Sequence, residues 1–325
     1  MPAPRVFITG IAGFAGSHLA ELCLDAGDAV FGTWLPGTST RNLDAIRGEI
    51  EITAVDLLNP KALTRVLQRI RPTWVIHLAA STSVGDSFSS PGATIRNNVI
   101  SSLNLLETIR QDRDLMKSVE KIVMLASNEV YGRVRPSQIP VDENTPLRPV
   151  NPYGASKAAV DLIAESYRAS FHLPTVRVRA SNHTGPRQAP GFVVPDFCNS
   201  IARLERTSGK RVMKVGDLSA RRDFSDVRDI VKGYRLLAQD GKPGIVYHLG
   251  SGKVRSIQSV LDSLLKLAVQ PISAVVDPKK LRPVEVPILR ADISRAQRDV
   301  GFKPSIPWDQ TLLDTLEYYR QCGSK

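Results

Sequence analysis

A short apolar run ending in glycine, Val6-Phe7-Ile8-Thr9-Gly10, is followed at three-residue spacing by Gly13 and Gly16. Over residues 17–26, Leu19, Leu22 and Cys23 recur at helical spacing, and the run closes at Gly27. Strand, glycine turn and helix in that order form the context in which such a spacing holds a dinucleotide. Gly10 permits the tight turn, Gly13 lets the backbone approach a pyrophosphate, and Gly16 lets helix pack on strand. Phe14 and Ala15 stand in the glycine loop, and the helix N-terminus after it offers free N–H groups and a partial positive charge to the phosphate.

The next strand, residues 29–34, should carry the discriminator for the adenosine ribose. An NAD(H) site places Asp or Glu about 20 residues past the glycines. Here Gly32-Thr33-Trp34-Leu35-Pro36-Gly37 contains no acid, and Thr38, Ser39, Thr40 and Arg41 follow. The hydroxyl of Thr33 and the guanidinium of Arg41 suit a 2′-phosphate, which tilts the cofactor toward NADP(H). A polar loop without any cofactor contact is the competing reading.

Strand and helix then alternate. Residues 51–55 form a strand closed by Asp56 and Leu57, and a helix from Pro60 to Ile70 has proline in its first turn, as helices favour. The buried-strand run 74–78, closing at Leu78, leads into Ala79-Ala80, small residues that let a cofactor approach the carboxyl end of a parallel strand. His77 inside that run reads as a satisfied core histidine. The long helical stretch 91–111 holds Asn98 on a core-like face, where a buried amide needs partners and serves as a hydrogen-bond node.

Strand 121–125 leads into Ala126-Ser127-Asn128-Glu129, which places a hydroxyl at a strand's carboxyl end. Downstream, Tyr153 and Lys157 stand four residues apart at the start of a helix spanning 152–171, on one face. A neighbouring ammonium favours the phenolate, so Lys157 is expected to lower the Tyr153 pKa from about 10 toward neutrality. Tyr153 can then transfer a proton while Ser127 hydrogen-bonds a substrate carbonyl. Each residue alone is commonplace; together with the glycine loop they form a catalytic constellation.

This alternation predicts an α/β, Rossmann-type doubly wound parallel sheet. From residue 180 the texture changes to polar, Pro/Gly-bearing stretches such as Ser181-Asn182-His183-Thr184-Gly185-Pro186-Arg187-Gln188, interspersed with helices. That pattern predicts a smaller, less regular α+β substrate-binding domain. Arg222 and Arg282 stand out there, since an arginine fork can hold a diphosphate.

The 325 residues carry a formal net charge of +11, which raises nucleic-acid binding. However, the basic residues are dispersed and aromatics reach only 6 %, which points to a solvated basic surface. Cys23, Cys198 and Cys322 show neither disulfide nor metal spacing, which points to a reducing compartment and no metal site. The N-terminus enters a strand without a leader, and no apolar run reaches the roughly 18 residues that span a bilayer. A cytoplasmic protein without membrane contact is expected.

With these residues in hand, the chain resembles the extended short-chain dehydrogenase/reductases that act on nucleotide-diphosphate sugars. The likeness rests on Gly10, Gly13 and Gly16, Asp56-Leu57, Leu78-Ala79-Ala80, Ser127 with Tyr153 and Lys157, Arg222-Asp223-Phe224, and Arg282-Pro283. It implies that Asp56 and Leu57 flank adenine, that Ala79, Ala80, Asn98 and His183 serve the cofactor, and that Lys157 also touches the nicotinamide ribose. It further implies a sugar nucleotide held by Ser83, Asn128, Asn182, Val194, Arg222, Arg282 and Glu285. The cofactor domain would comprise residues 1–179 and about 222–255, and the nucleotide-sugar domain 180–221 and about 256–325. A homodimer through helices 91–111 and 152–171 is implied as well.

Within that family, Ala12-Gly13-Phe14-Ala15-Gly16 and Asn182-His183-Thr184-Gly185-Pro186 resemble the reductases of a GDP-linked 6-deoxy-4-keto sugar rather than the 4,6-dehydratases. Glu129 keeps the dehydratase alternative open, because elimination across C5–C6 needs a base for the C5 proton, and the dehydratases this chain resembles supply a Glu two residues past the hydroxyl residue. A regulator that binds NAD(P) without catalysis is a third class; such proteins tend to lose the Tyr or the Lys, and both are present.

Overall fold

The protein is described by a computed structural model covering residues 2–280 and 286–322. The first half builds β1 (Arg5–Thr9), α1 (Phe14–Asp25), β2 (Ala29–Trp34), β3 (Glu51–Ala54), α2 (Pro60–Ile70) and β4 (Trp74–His77). There follow α3 (Val84–Ser89), α4 (Pro91–Gln111), α5 (Arg113–Ser118), β5 (Lys121–Leu125), α6 (Pro152–Phe171) and β6 (Thr175–Ala180). Helix α2 shows how local sequence decides these elements. Asn59 caps it by accepting from the Ala62 N–H at 3.2 Å, Pro60 fits the first turn, and Leu63, Val66, Leu67 and Ile70 form the buried stripe.

The second half adds β7 (Asn182–Thr184), α7 (Val193–Glu205), β8 (Val212–Val215), β9 (Arg221–Asp226), α8 (Val227–Asp240) and β10 (Val246–Leu249). It continues with β11 (Val254–Ser256), α9 (Ile257–Leu267), β12 (Ser273–Val276), β13 (Ile288–Leu289), α10 (Ser294–Val300) and α11 (Trp308–Cys322).

Seven strands form one sheet in the order β10-β6-β5-β4-β1-β2-β3, and every pairing in it is parallel. Parallel strands require crossovers, and the helices cover both faces. Val6, Ile8, Val123 and Val178 pack with α1 and α8 on one face; Phe7, Val75, Ile122 and Met124 pack with α2, α4 and α6 on the other. Each such fully buried side chain contributes about 1.5–3 kcal/mol of transfer free energy. Strand order reverses between β1 and β4, and at this switch point the strand ends leave a crevice.

A second sheet joins β11-β9-β13, with β7 also paired to β9, and β12 pairs with β8 in a separate two-stranded sheet. The expected span 222–255 is therefore divided. Strands β9 and β11 belong to the second sheet, where β9 finds its ladder partners, and only α8 and β10 rejoin the first. The C-terminal span divides too: Ile293, Ala296, Val300 and Phe302 pack into the core of the large sheet. Arg282 and Glu285 lie outside the described residues. No helix among the described residues is long and apolar enough to cross a membrane.

Candidate active site

The crevice is a cleft of about 900 Å³ running from the glycine loop to the second sheet. Its floor begins at Gly10, whose φ of +69° lies in the left-handed region and where a Cβ would stand 3.0 Å from the Ala79 Cα. Glycine is required there on both counts. Gly13 is the N-cap of α1, with extended backbone and no side-chain cap. A Cβ on Gly16 would sit 2.8 Å from the Ile11 Cα and closer still to the Gly10 carbonyl oxygen. The first-turn N–H groups of α1 have no intrahelical acceptors, no acid competes for them, and they open on the cleft lined by Phe14 and Ala15. Thr33 also lines the cleft, and its hydroxyl is buried without a partner. Uncapped helix N–H groups and an unpaired hydroxyl at this place fit a dinucleotide phosphate and ribose.

Asp56, Leu57, Leu78, Ala79, Ala80 and His183 line the same cleft. Two expected cofactor residues do not. Arg41 is exposed at the start of a 3₁₀ turn; it is Asn42 that turns back, its side-chain amide donating to the Ala12 carbonyl at 3.1 Å. Thr38 and Ser39 reach the cleft in place of Arg41. Asn98 is spent elsewhere: its Oδ1 accepts from Ser81 N–H at 2.7 Å, and its Nδ2 donates to the Ser81 carbonyl at 3.0 Å and to Ser156 Oγ at 2.9 Å. It pins the loop after β4 to α6, as the hydrogen-bond node expected from sequence. His77 is a core histidine, its Nδ1 2.9 Å from Thr9 Oγ1 and its Nε2 2.9 Å from Ser102 Oγ.

Tyr153 and Lys157 enter from α6, and Ser127 and Glu129 from the turn that ends β5; all four line the cleft. Ser127 lies beside the Tyr153 phenol, and its Oγ accepts from Glu129 N–H at 3.2 Å. The electrostatics differ from the sequence expectation. Burial pushes the Tyr153 phenol up to about 12, with the Glu129 carboxylate adding to the rise and Ser127 opposing it. Lys157 donates instead to the Leu125 carbonyl at 2.8 Å, and burial brings its ammonium down to about 8. Desolvation outweighs the cation in this buried pair. Glu129 is held by Asn151, whose Nδ2 donates to Oε2 at 3.0 Å.

On the far wall, Asn182, Val194 and Arg222 line the cleft, joined by Lys214 and Lys280, which the sequence reading did not single out. The Arg222 guanidinium is buried and donates to the Val286 carbonyl. Two expected substrate residues stand back. Asn128 is buried and donates to Ser181 Oγ at 3.3 Å, while Ser83 caps α3 and lines a neighbouring hollow of about 390 Å³. That hollow shares Ser81, Thr82, Gly191 and Phe192 with the main cleft.

A doubly wound sheet with a glycine loop at its switch point, and Ser, Tyr and Lys meeting in one cleft, defines a short-chain dehydrogenase/reductase. The chain belongs to the GDP-mannose 4,6-dehydratase family, whose model matches residues 7–315. It is 30 % identical over 310 residues to GDP-6-deoxy-D-mannose reductase from Pseudomonas aeruginosa, covering 95 % of this chain and 94 % of that one. It is 28 % identical over 345 residues to GDP-mannose 4,6 dehydratase from Cricetulus griseus, covering 97 % and 91 %. Among solved structures it matches RMD from Pseudomonas aeruginosa complexed with NADPH, with a TM-score of 0.83 and 29 % identity, covering 98 % and 100 %. The chain is thus a nucleotide-cofactor-dependent oxidoreductase of nucleotide-sugar metabolism.

Proposed function

We propose that this protein uses NAD(P)H to reduce the C4 keto group of GDP-4-keto-6-deoxy-D-mannose, forming GDP-D-rhamnose. The observation that carries the reading is the meeting of Ser127, Tyr153 and Lys157 in the cleft that the glycine loop opens. Likeness to a GDP-6-deoxy-D-mannose reductase supports the choice of substrate. When bound, the reduced nicotinamide supplies the hydride. Ser127 orients the carbonyl by donating a hydrogen bond, Tyr153 gives its phenolic proton to the oxygen, and Lys157 supplies positive charge beneath that transfer. Asn182, Val194 and Arg222 hold the sugar nucleotide, with Arg222 at the diphosphate. NADP(H) is favoured over NAD(H), because residues 33–41 offer hydroxyls and no acid.

A second reading, a 4,6-dehydratase, is favoured by one observation: the Glu129 carboxylate lines the cleft on the same turn as Ser127. Incubating the purified protein with NADPH and the GDP-linked 4-keto sugar, or with GDP-mannose, separates the two. The reductase oxidises NADPH stoichiometrically with the first and ignores the second; a dehydratase converts the second without net cofactor use.

The large sheet serves as the cofactor domain and the second sheet with α7, α9 and α11 as the substrate domain. Ile95 and Ile100 on α4 and Leu162 and Phe171 on α6 are exposed apolar side chains, which supports a homodimer through these helices. A monomeric mass by light scattering would contradict it. The free cysteines support a cytoplasmic setting.

A further inference from the structure

The segment after β7 does more than line the cleft. Strand β7 is held in the second sheet, with Asn182 in register with Phe224 and Thr184 with Asp226. The next residues cross to the first domain and fasten onto α1, the helix that the glycine loop begins. The Phe14 ring stacks on His183, with centroids 6.0 Å apart and planes 14° from parallel. His18 Nε2 donates to the Pro186 carbonyl at 2.9 Å. One terminal nitrogen of Arg187 lies 2.8 Å from both carboxylate oxygens of Glu21, and the other donates to Ser17 Oγ at 3.3 Å.

Arg187 makes these contacts at a φ of +72°, a left-handed conformation that disfavours any residue with a Cβ. Such strain persists only where surrounding interactions enforce it. The segment is also hydrogen-bonded at its far end. Thr184 Oγ1 donates to Gln188 Oε1 at 2.7 Å, and the Tyr319 hydroxyl donates to the Gln188 carbonyl at 2.5 Å. His183, Thr184 and Gln188 line the same cleft as Gly13, Phe14 and Gly16. The segment is thus a strap from the second sheet to α1, running along the wall of the cleft beside the glycine loop.

We propose that this strap is the exit gate for the dinucleotide, with the Arg187–Glu21 pair as the latch whose opening sets the rate of cofactor release. The function assigned to the latch rests on the reductase reading, because a reductase must exchange spent for fresh dinucleotide at every turnover. A dehydratase recycles its hydride and has no such need. The two latch side chains are 23 % and 28 % exposed, so the pair is partly solvated and weakened by salt.

The test is the release rate of NADPH from the intact protein, followed by its fluorescence on rapid mixing with excess NADP⁺. Wild type is compared with Glu21→Gln, Arg187→Gln and the double variant. Each single variant should release about three- to fivefold faster, the scale of one partly exposed ion pair. The double variant should be no faster than either single one, because the two residues act as one latch. Raising the salt concentration should speed release from wild type more than from the double variant, whose remaining salt dependence is that of the anionic dinucleotide alone. Release rates equal to wild type in both single variants would overturn the gate, as would single effects that multiply in the double variant. If both single variants unfold, the salt dependence of wild type decides: a release rate indifferent to salt rejects the latch. A wild type that binds and releases NADPH but does not reduce the keto sugar refutes the reductase reading, a failure distinct from that of the gate.

Discussion

The side-chain amide of Asn151 donates to the Glu129 carboxylate at 3.0 Å while its carbonyl oxygen caps α6 by accepting from Gly154 N–H at 2.7 Å. One residue therefore starts the helix that carries Tyr153 and Lys157 and fixes the carboxylate of the neighbouring turn. Asn151→Ala should lower stability by about 0.5–2 kcal/mol, the usual cost of a lost N-cap, as read by denaturant unfolding. Asn151→Ser restores a cap without reaching Glu129, so it should recover most of that stability. Equal stability of wild type and the alanine variant would reject the cap.

Glu129 itself divides the two chemistries. If it is not an acid or base in the reduction, Glu129→Gln should retain turnover of the 4-keto sugar to within less than about 100-fold, the lower bound for losing such a group. A larger loss across all pH values, with folding intact by circular dichroism, would make the carboxylate a participant.

Close approach at the glycine loop gives a third expectation. A methyl group at residue 16 would enter the space of the Gly10 carbonyl and stand 2.8 Å from the Ile11 Cα, both backbone atoms that cannot rotate away. Gly16→Ala should therefore weaken NADPH affinity by at least about tenfold through displacement of α1, as measured by fluorescence titration. Unchanged affinity would show that the loop does not seat the phosphate.

Burial of histidines sets the acid limit of the fold. His18, His77, His183 and His248 are all held below the ordinary imidazole value chiefly by desolvation, His77 at about 3 and His248 at about 4. The unfolded chain takes up protons near pH 6.5, whereas the folded chain resists until lower pH. Their contribution is complete above about pH 6.5 and is lost as pH falls toward 4. The thermal midpoint should accordingly decline from pH 6.5 to 4.5. A midpoint that stays level over that range would contradict it.

Much of this was legible in the sequence because it is local. The Gly10, Gly13, Gly16 spacing and the i,i+4 pair Tyr153 and Lys157 are set by turn and helix geometry within a few residues. The parallel sheet followed from alternating strand and helix. Partnerships across the chain were not legible. Glu21 and Arg187 are 166 residues apart, and β9 chose the second sheet through ladder partners that no local pattern reveals. The direction of the Tyr153 shift also escaped, because burial cannot be read from a four-residue spacing. Arg41 is exposed and stands outside the cleft lining, a placement that its charge alone does not reveal.

Tyr153 as the proton donor in reduction of a GDP-linked 4-keto sugar is tested by comparing wild type with Tyr153→Phe. Both are mixed with NADPH and GDP-4-keto-6-deoxy-D-mannose, and nicotinamide absorbance is followed alongside NADPH binding. Wild type should oxidise NADPH in step with formation of the reduced sugar nucleotide. The phenylalanine variant should bind NADPH as tightly but turn over about 10²–10⁴-fold more slowly. Equal turnover by the two proteins, or no NADPH oxidation by wild type, would contradict the account.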